Sequence, residues 1–499
     1  MQAVIAPTLL PDVAGQIESA VERARAAQRK WGAMPTRERL QVIGRFQQAL
    51  YREVDAVAAL IAEETGKPKA EALTAEVLVT LDATRFLLKE VPRLFRRERV
   101  RHVNLAMRAK RAYLHREPYG VIGIISPWNY QFSIPASEVL AALACGNAAV
   151  LKPSEFTPRC ALKLQELLDA AGLEHDLLHV VPGEGPAGAA LVAAAIDKLI
   201  FTGSVATGKK IARAAAEKLL PVVLELGGKD PMIVLEDADI EVASSAAVWG
   251  AFMNAGQTCL SVERCYVHRA IHDRFVQACV EKVKKLRVGE EIGPLINDRQ
   301  LQTVETQVQD AIARGAKVEC GGTRGTAPHT YAPTVITNAD HSMKLLSEET
   351  FGPIMPVMPF ADDEEAVRLA NDSAFGLAAS VWTRDRARGE ALAQLLNAGT
   401  VMVNDLISAF GISEAPHGGF GESGIGRTHG RMGLEEMVRA KYIDIDLLPG
   451  MPKVWWFGYG DAFYAQMRGF IDFLFARSIG KRISGGVKAL KAFRRQNRV

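Results

Sequence analysis

The chain is 499 residues long, 48% apolar and almost balanced in charge, with 60 Lys plus Arg against 57 Asp plus Glu. A chain of that size can bury a large core and is long enough for about two to four domains. The charge margin is too small to point to nucleic acid or an acidic partner as the main ligand.

Six cysteines, Cys145, Cys160, Cys259, Cys265, Cys279 and Cys320, are sparse and irregularly spaced. Without a paired C-x-x-C they make neither a zinc motif nor the disulfide framework of a small secreted domain, and a reducing compartment suits them. The opening MQAVIAPTLLPD lacks the basic, apolar and small-residue order of a secretory signal. No apolar run reaches the roughly 18 residues of a membrane span. The expectation is a cytoplasmic protein of enzyme size.

Ile17, Ala20, Val21, Ala24, Ala27 and Trp31 recur at helical spacing, and residues 54–64 continue in the same style, so the first hundred residues read as mostly helical. From 119 onward short apolar runs (VIGII, NAAVLK, LLHVV, DKLIF, PVVLEL) alternate with amphipathic stretches such as ALKLQELLDAAG. That is the rhythm of a doubly wound parallel sheet, which binds ligands at its strand ends. After 260 come a helix (AIHDRFVQACVEKVKKL), a Gly-rich break near 321, a helix, loop and strand over DDEEAVRLANDSAFGLAASVWT, and a strand, TVMVND. These read as a second α/β domain. Residues 99–118 and 441–447 alternate like strands outside either rhythm, which suits paired flaps or subunit contacts.

The tail differs in composition. Residues 455–475 hold two Trp, five Phe and two Tyr, and 477–499 hold eight Lys or Arg and no acid. Aromatic-then-basic order predicts either an amphipathic helix on an anionic membrane surface or a helix packed on a neighbouring subunit.

Two glycine loops compete for a nucleotide. PGEGPAG holds Gly183, Gly185 and Gly188 in G-x-G-x-x-G spacing, but the region about 20 residues on offers Gly208, Lys209 and Lys210 rather than an acid for a ribose. FTGSVATG follows another strand and precedes a helix written KKIARAAAEKL, so backbone N–H groups, Ser204 and a helix terminus could meet a pyrophosphate. Spacing alone does not choose between them. NAGQTCLSVERC likewise leaves a metal site, a disulfide or a nucleophile open, and a lone cysteine is more often a small buried hydrophobe.

PWNYQFSIP, VLKPSEFTP, FTGSVATG, LELGGKDP, NAGQTC, EETFGP and VND followed by PHGGFGESGIGR occur in one order. Together they resemble the NAD(P)-dependent aldehyde dehydrogenase superfamily over roughly residues 15–447, in the style of bacterial semialdehyde dehydrogenases with a C-terminal extension. The resemblance implies a Rossmann-type α/β cofactor domain (1–98 and 119–226), an α/β catalytic domain (227–437) and an oligomerisation flap (99–118 and 438–449), followed by the extension 450–499. It implies Cys259 as nucleophile, Asn129 as a donor to the developing oxyanion and Glu225 as the base that activates water. It assigns Lys152 and Glu155 to the adenosine ribose and Gly203, Ser204 and Gly208 to the pyrophosphate turn. Ile125, Trp128 and Leu226 go to the cofactor cleft, and Glu349 and Phe351 to the nicotinamide-side ribose. By the same token PGEGPAG is a decoy.

A carboxylate at 155 can bond both ribose hydroxyls but would repel a 2′-phosphate, which favours NAD over NADP without excluding it. The implied partners are a small-molecule aldehyde and further copies of the chain, as homodimer or homotetramer. Three positions depart from the family's pattern. Glu138 and Thr428 stand where many members carry a lysine and a glutamate linked to proton relay, and Gln131 stands where a proline is usual, a change expected at the rim of the substrate tunnel. Cys265 reads as a packed strand residue rather than a resolving thiol. Two rival functions remain: a CoA-acylating relative, against which Glu225 argues, and a membrane-surface scaffold that keeps a dehydrogenase body for binding alone.

Overall fold

The computed structural model describes residues 13–103, 107–450, 453, 456–457 and 459–496. The opening dodecapeptide, in which no secretory signal is read, lies outside the described residues, as do 104–106 of the strand-like stretch, 455 and 458 of the aromatic stretch and 497–499 of the basic end. Contacts group the chain into two units, one of residues 1–98 with 115–441 and one of 99–114 with 442–499.

The first unit opens on helices, Val13–Ala33, Thr36–Arg52, Val54–Thr65 and Leu78–Leu94. In the first of these Ile17, Ala20, Val21, Ala24 and Trp31 form the buried stripe that their spacing predicts. The expected α/β layers follow as two sheets. Across the six-stranded sheet the order is Gly424–Ile425, Val222–Glu225, Lys198–Thr202, Val121–Ile125, Ala148–Lys152 and Leu178–Val180. VIGII and AAVLK are buried along their whole length because the sheet is covered on both faces.

The chain runs from Val121–Ile125 outward to the edge strand Leu178–Val180, then returns to the other side of Val121–Ile125 with Lys198–Thr202. That reversal opens a crevice beyond the carboxyl ends of Val121–Ile125 and Lys198–Thr202, the place where such sheets take ligands. FTGSVATG sits there, whereas PGEGPAG follows the edge strand. The helix after FTGS starts earlier than the sequence suggests, at Val205, because the Ser204 hydroxyl accepts the Thr207 N–H and caps it.

The seven-stranded sheet has the order Lys317–Cys320, Thr334–Thr337, Ile354–Phe360, Val262–His268, Asp230–Val234, Ala378–Trp382 and Thr400–Val403. Its strands are parallel except at the Lys317–Cys320 edge. Residues 226–229, LGGK, carry the chain from one sheet to the other. The helix Ser133–Ala144 is buried at every residue, as its nearly all-apolar sequence requires, and it carries Glu138 into the interior.

In the second unit Lys110 pairs with Asp444. Strands Glu98–Val100, Lys110–Pro118 and Val438–Asp446 form a three-stranded sheet in that order, where the sequence alternates. The tail makes two helices, Asp461–Phe475 and Ile479–Gln496, rather than the single amphipathic helix expected, because Ala476 turns to an extended conformation (φ −64°, ψ 138°) and ends the first.

One buried ion pair ties the helical opening to the first sheet. Lys67 Nζ donates to Glu76 Oε1 and to the Asn129 carbonyl, both at 2.7 Å, while Glu76 Oε2 accepts the Phe132 and Ser133 N–H groups at 2.8 and 3.2 Å. Both side chains are almost wholly buried. Glu76→Ala therefore strands an ammonium in the interior and is expected to cost about 3–5 kcal/mol, read as a fall in the urea midpoint. The double variant Lys67→Met with Glu76→Gln should lose less, because the amide oxygen still accepts the two N–H groups.

Candidate active site

Cys259 lies just before the strand Val262–His268, at the end of a strained turn. Asn254 and Ala255 both hold left-handed backbone (φ 52° and 55°), which costs roughly 1–3 kcal/mol per non-glycine residue. Side-chain amides hold the turn in place. Asn254 Nδ2 donates to the Asn129 carbonyl at 3.0 Å and to the Gln257 carbonyl at 3.2 Å. Gln257 Nε2 donates to the Asn254 carbonyl at 3.0 Å, and Gln257 Oε1 accepts the Ile296 N–H at 2.8 Å. Gly256 is required next: a Cβ there would collide with the carbonyl of Gly352, so the NAGQTC and EETFGP loops touch backbone to backbone.

The EETFGP loop is anchored from below. Glu263 pairs with Lys229 in the interior and accepts the Thr350 N–H at 3.0 Å and the Phe351 N–H at 2.9 Å, which holds Phe351 at φ 52°. Trp128 meets the Phe351 ring edge to face with centroids 5.5 Å apart.

A cavity of about 430 Å³ runs along these loops. Its wall brings together Trp128, Asn129, Glu155, Gly203, Ser204, Glu225, Leu226, Cys259, Glu349 and Phe351, all named from the sequence. Ile125, Lys152 and Gly208 stand behind it. Ile125 and Lys152 are register partners at the ends of adjacent strands, and Lys152 Nζ lies 3.3 Å from Glu155 Oε2. Gly208 lets its helix close onto Leu226, whose Cδ2 would be 2.5 Å from an added Cβ. Gln131 does not form a tunnel rim as expected. Its amide donates to the Ile61 carbonyl at 3.1 Å and is buried against the helix Val54–Thr65. Gly183, Gly185 and Gly188 of PGEGPAG are absent from the wall.

Asn129 Nδ2 donates to the Gln257 carbonyl at 3.0 Å, which aims its amide at the cysteine loop; it does not cap the helix that follows. Burial raises the Cys259 thiol well above its usual range, and the negative charges of Asp230, Glu349 and Glu225 raise it further. Glu225 closes the strand Val222–Glu225. Burial pushes its carboxyl well up and Glu138 adds to that. Thr428 Oγ1 lies 3.5 Å from Glu225 Oε1, while Glu225 Oε2 has no hydrogen-bond partner among the described residues. Glu138 accepts the Thr202 hydroxyl at 3.1 Å and is pushed up to about 8 by burial. Glu349 accepts the Gly228 N–H at 3.1 Å and is also pushed up to about 8, by burial and then by Glu263.

The wall also contains two histidines that the sequence reading passed over. His417 and His429 are pushed down to about 3 and about 4 by burial, so both are neutral imidazoles, and His417 Nε2 lies 3.7 Å from Glu225 Oε2. His417 stands inside the quoted PHGGFGESGIGR, and that motif was the available signal for it. All six cysteines are free, and Cys265 is a buried strand residue as expected.

Cys259 also borders a second cavity of about 170 Å³, whose wall holds no carboxylate among the described residues. Cys259 thus stands where two spaces meet, one rich in acids and one faced mainly by apolar side chains.

Comparisons with known proteins identify the family. The model of the aldehyde dehydrogenase family matches residues 9–443. The chain is 38% identical over 485 residues to 4,4'-diapolycopene aldehyde oxidase of a Methylomonas species, covering 96% of this chain and 91% of that protein. It is 38% identical over 445 residues to a Mycolicibacterium smegmatis protein named as an NADP(+) succinate-semialdehyde dehydrogenase, covering 87% of this chain and 86% of that one. The NAD+ complex of an aldehyde dehydrogenase from Bacillus cereus superposes with a TM-score of 0.83 at 36% identity, over 87% of this chain and 89% of that one. An E. coli NADP-dependent enzyme gives 0.83 at 33% identity, over 87% and 91%. The chain belongs to the aldehyde dehydrogenase family, oxidoreductases that act on the aldehyde group.

Proposed function

We propose that this enzyme oxidises an aldehyde to its carboxylic acid with NAD(P), through a thioester on Cys259 that Glu225-activated water hydrolyses. The observation that carries this reading is the convergence of Cys259, Asn129 and Glu225 on one cavity wall that also holds Glu155, Gly203 and Ser204. The crevice suits the cofactor. The helix Val205–Ala216 presents its amino terminus behind Gly203 and Ser204, and a side chain at 203 would strike the Phe201 ring. Glu155 in the wall favours NAD by repelling a 2′-phosphate. The cofactor supplies a hydride acceptor.

Cys259 gives up its proton to solvent, and the thiolate sulfur adds to the carbonyl carbon as the C=O π pair moves onto oxygen. The Asn129 amide and the Cys259 backbone N–H then hold the alkoxide. When the alkoxide collapses the C–H pair departs as hydride and a thioester remains on sulfur. Glu225 Oε2, to which no protein donor is bonded, takes a proton from water, the hydroxyl adds to the thioester, and the acid leaves as Cys259 regains a proton. A thioester destined for coenzyme A would not require this base. Residues 1–98 and 119–226 serve as the cofactor domain and 227–437 as the catalytic domain, and the free thiols suit a reducing cytoplasm. Val438–Asp446, an edge strand, pairs copies of the chain into a dimer or tetramer.

A second reading concerns the tail, and a specific packing feature favours it. In the hairpin 461–496 the backbones touch at glycines: a Cβ on Gly469 would lie 2.8 Å from the Gly485 carbonyl, and one on Gly485 2.7 Å from the Phe473 N. Glycine crossings push large side chains outward, and Tyr464, Phe475, Ile479 and Ile483 are exposed beside Arg477, Lys481 and Arg482. No helix among the described residues is long and apolar enough to cross a membrane. The hairpin therefore lies on an anionic membrane surface, with its apolar residues among the headgroups and its cations against the phosphates.

Cys259→Ser should reduce turnover, followed as NADH or NADPH absorbance, below about 10⁻⁴ of the parent, and Glu225→Gln should lower kcat about 10²- to 10⁴-fold. An undiminished Cys259→Ser variant would end the thioester reading.

Glu225 works only unprotonated, and its carboxyl is raised, so deacylation should keep accelerating as pH climbs above the ordinary carboxylate range. Glu138→Gln removes a like charge and should move that rise to lower pH; an unmoved profile would show that the two carboxyls do not couple.

Truncation after residue 449 should abolish cosedimentation with vesicles rich in phosphatidylserine. A truncated protein that still pellets, or one whose only change is in oligomeric state, would give the hairpin to a protein contact instead.

A further inference from the structure

The second cavity at Cys259 specifies the substrate, on the assumption that the proposed oxidation is right. Its wall is built from Tyr130, Ile134, Trp249, Met253, Ile407 and Phe410 with Leu260 and smaller neighbours, and among the described residues it contains no Lys, Arg, His, Asp or Glu. Three hydroxyls other than the Tyr130 phenol reach the wall, from Thr74, Thr258 and Ser408, and each is already engaged. Thr74 donates to the Ala70 carbonyl at 3.0 Å, Thr258 pairs with the Tyr130 hydroxyl at 2.7 Å, and Ser408 donates to Asp405 at 2.5 Å. The Tyr130 phenol is consumed by the same pair with Thr258. A ligand therefore meets hydroxyls whose protons are already given to the protein itself, which leaves a carboxylate no side-chain hydroxyl donor in this wall.

A cation stands close by and is equally committed. Lys67 Nζ lies 4.5 Å from the Tyr130 ring centre, but it is buried and bonded to Glu76 and to the Asn129 carbonyl. An aldehyde whose far end carries a carboxylate would bury that charge without a partner, which interiors do not tolerate. A hydrocarbon chain gains instead, by roughly fourfold in affinity for each methylene removed from water.

The apolar character continues to the surface. Trp249 is half exposed, and Leu73, Leu78 and Ile412, next in sequence to wall residues Thr74, Val79 and Gly411, are exposed as well. Part of this wall is the π-helical turn Leu73–Val77, an irregularity that is frequent where helices serve a site. An apolar mouth on an apolar tunnel lets a chain longer than the cavity leave over the rim.

We propose that the substrates are uncharged aldehydes with a long hydrocarbon chain, and that ω-carboxylated aldehydes such as succinic semialdehyde are rejected. The test is a panel of butanal, hexanal, decanal and succinic semialdehyde, with NAD and with NADP, read as kcat/KM. Decanal should exceed butanal by about 10-fold or more and succinic semialdehyde by about 100-fold or more. Trp249→Arg, which offers a carboxylate a partner at the mouth, should move the decanal to succinic semialdehyde ratio toward the acid by at least about 10-fold, while Trp249→Phe keeps the parent's order. Succinic semialdehyde as the better substrate of the parent would overturn the inference and leave aldehyde oxidation standing. No reduced nucleotide from any aldehyde would overturn the proposed oxidation, and this inference with it.

Discussion

Everything at the thiol depends on carboxylates sealed away from water. The loops that meet at Cys259 are irregular, and irregular backbone inside a protein has no ladder to satisfy its N–H groups. Glu263 takes two of them from Thr350 and Phe351 while Lys229 neutralises it, and Glu76 takes two more from Phe132 and Ser133 while Lys67 neutralises that one. Each pair then acts at one remove on the site. Glu263 fixes the loop whose Gly352 carbonyl abuts Gly256, and Lys67 binds the carbonyl of Asn129. Desolvation makes such pairs weak sources of net stability, but breaking one leaves a charge with nowhere to go. The left-handed turn at Asn254 and Ala255 persists because this framework permits no relaxed alternative.

The two cavities at the thiol divide its chemistry by dielectric character. On the side of Glu138, Glu155, Glu225 and Glu349 the wall is acidic, and burial keeps several of those carboxyls above their ordinary range. On the other side no ionisable side chain except the Tyr130 phenol and Cys259 itself faces the space. In the proposed mechanism a substrate is recognised by burial on one side while protons and hydride are handled on the other, and the thiol is shared by both. This separation also explains why Lys67, so near the apolar wall, must be neutralised internally. Left unpaired, its charge would reach the tunnel through the Tyr130 ring.

Much of this was legible in the sequence because the relevant motifs are local. VIGII, DKLIF and PVVLEL announced a buried parallel sheet, and FTGS, LELGG, NAGQTC and EETFGP each contributed residues to one wall. What escaped the sequence is what depends on distance along the chain. Lys67 and Glu76 lie in a stretch read only as helix, and nothing in their spacing shows that they close on a turn more than 50 residues away. His417 and His429 were visible as letters, but their neutrality comes from burial that only the packed structure creates. The fate of Gln131 was misjudged for the same reason, since its neighbour in sequence lines the wall while its own amide bonds to a helix carbonyl at Ile61. The tail reads as one helix from its aromatic-then-basic order, which carries no sign of the break at Ala476, and the glycine crossing that folds it back on itself is a tertiary feature.

In the proposed mechanism, where Glu225 is the base, Glu138 and Thr428 decide how a proton can leave it. Thr428 cannot ionise and offers Glu225 only a long hydrogen bond, so it can steady the carboxyl but cannot carry a proton away. Glu138 can, and it faces the same cavity with one oxygen bonded to Thr202 and the other without a protein donor. Burial raises both carboxyls, and the charge of Glu138 raises Glu225 further. Once Glu138 is ionised Glu225 binds a proton more tightly, which strengthens it as a base toward water. A second carboxyl thereby adjusts the strength of the first through space, a function that a lysine in the same place would perform with the opposite sign.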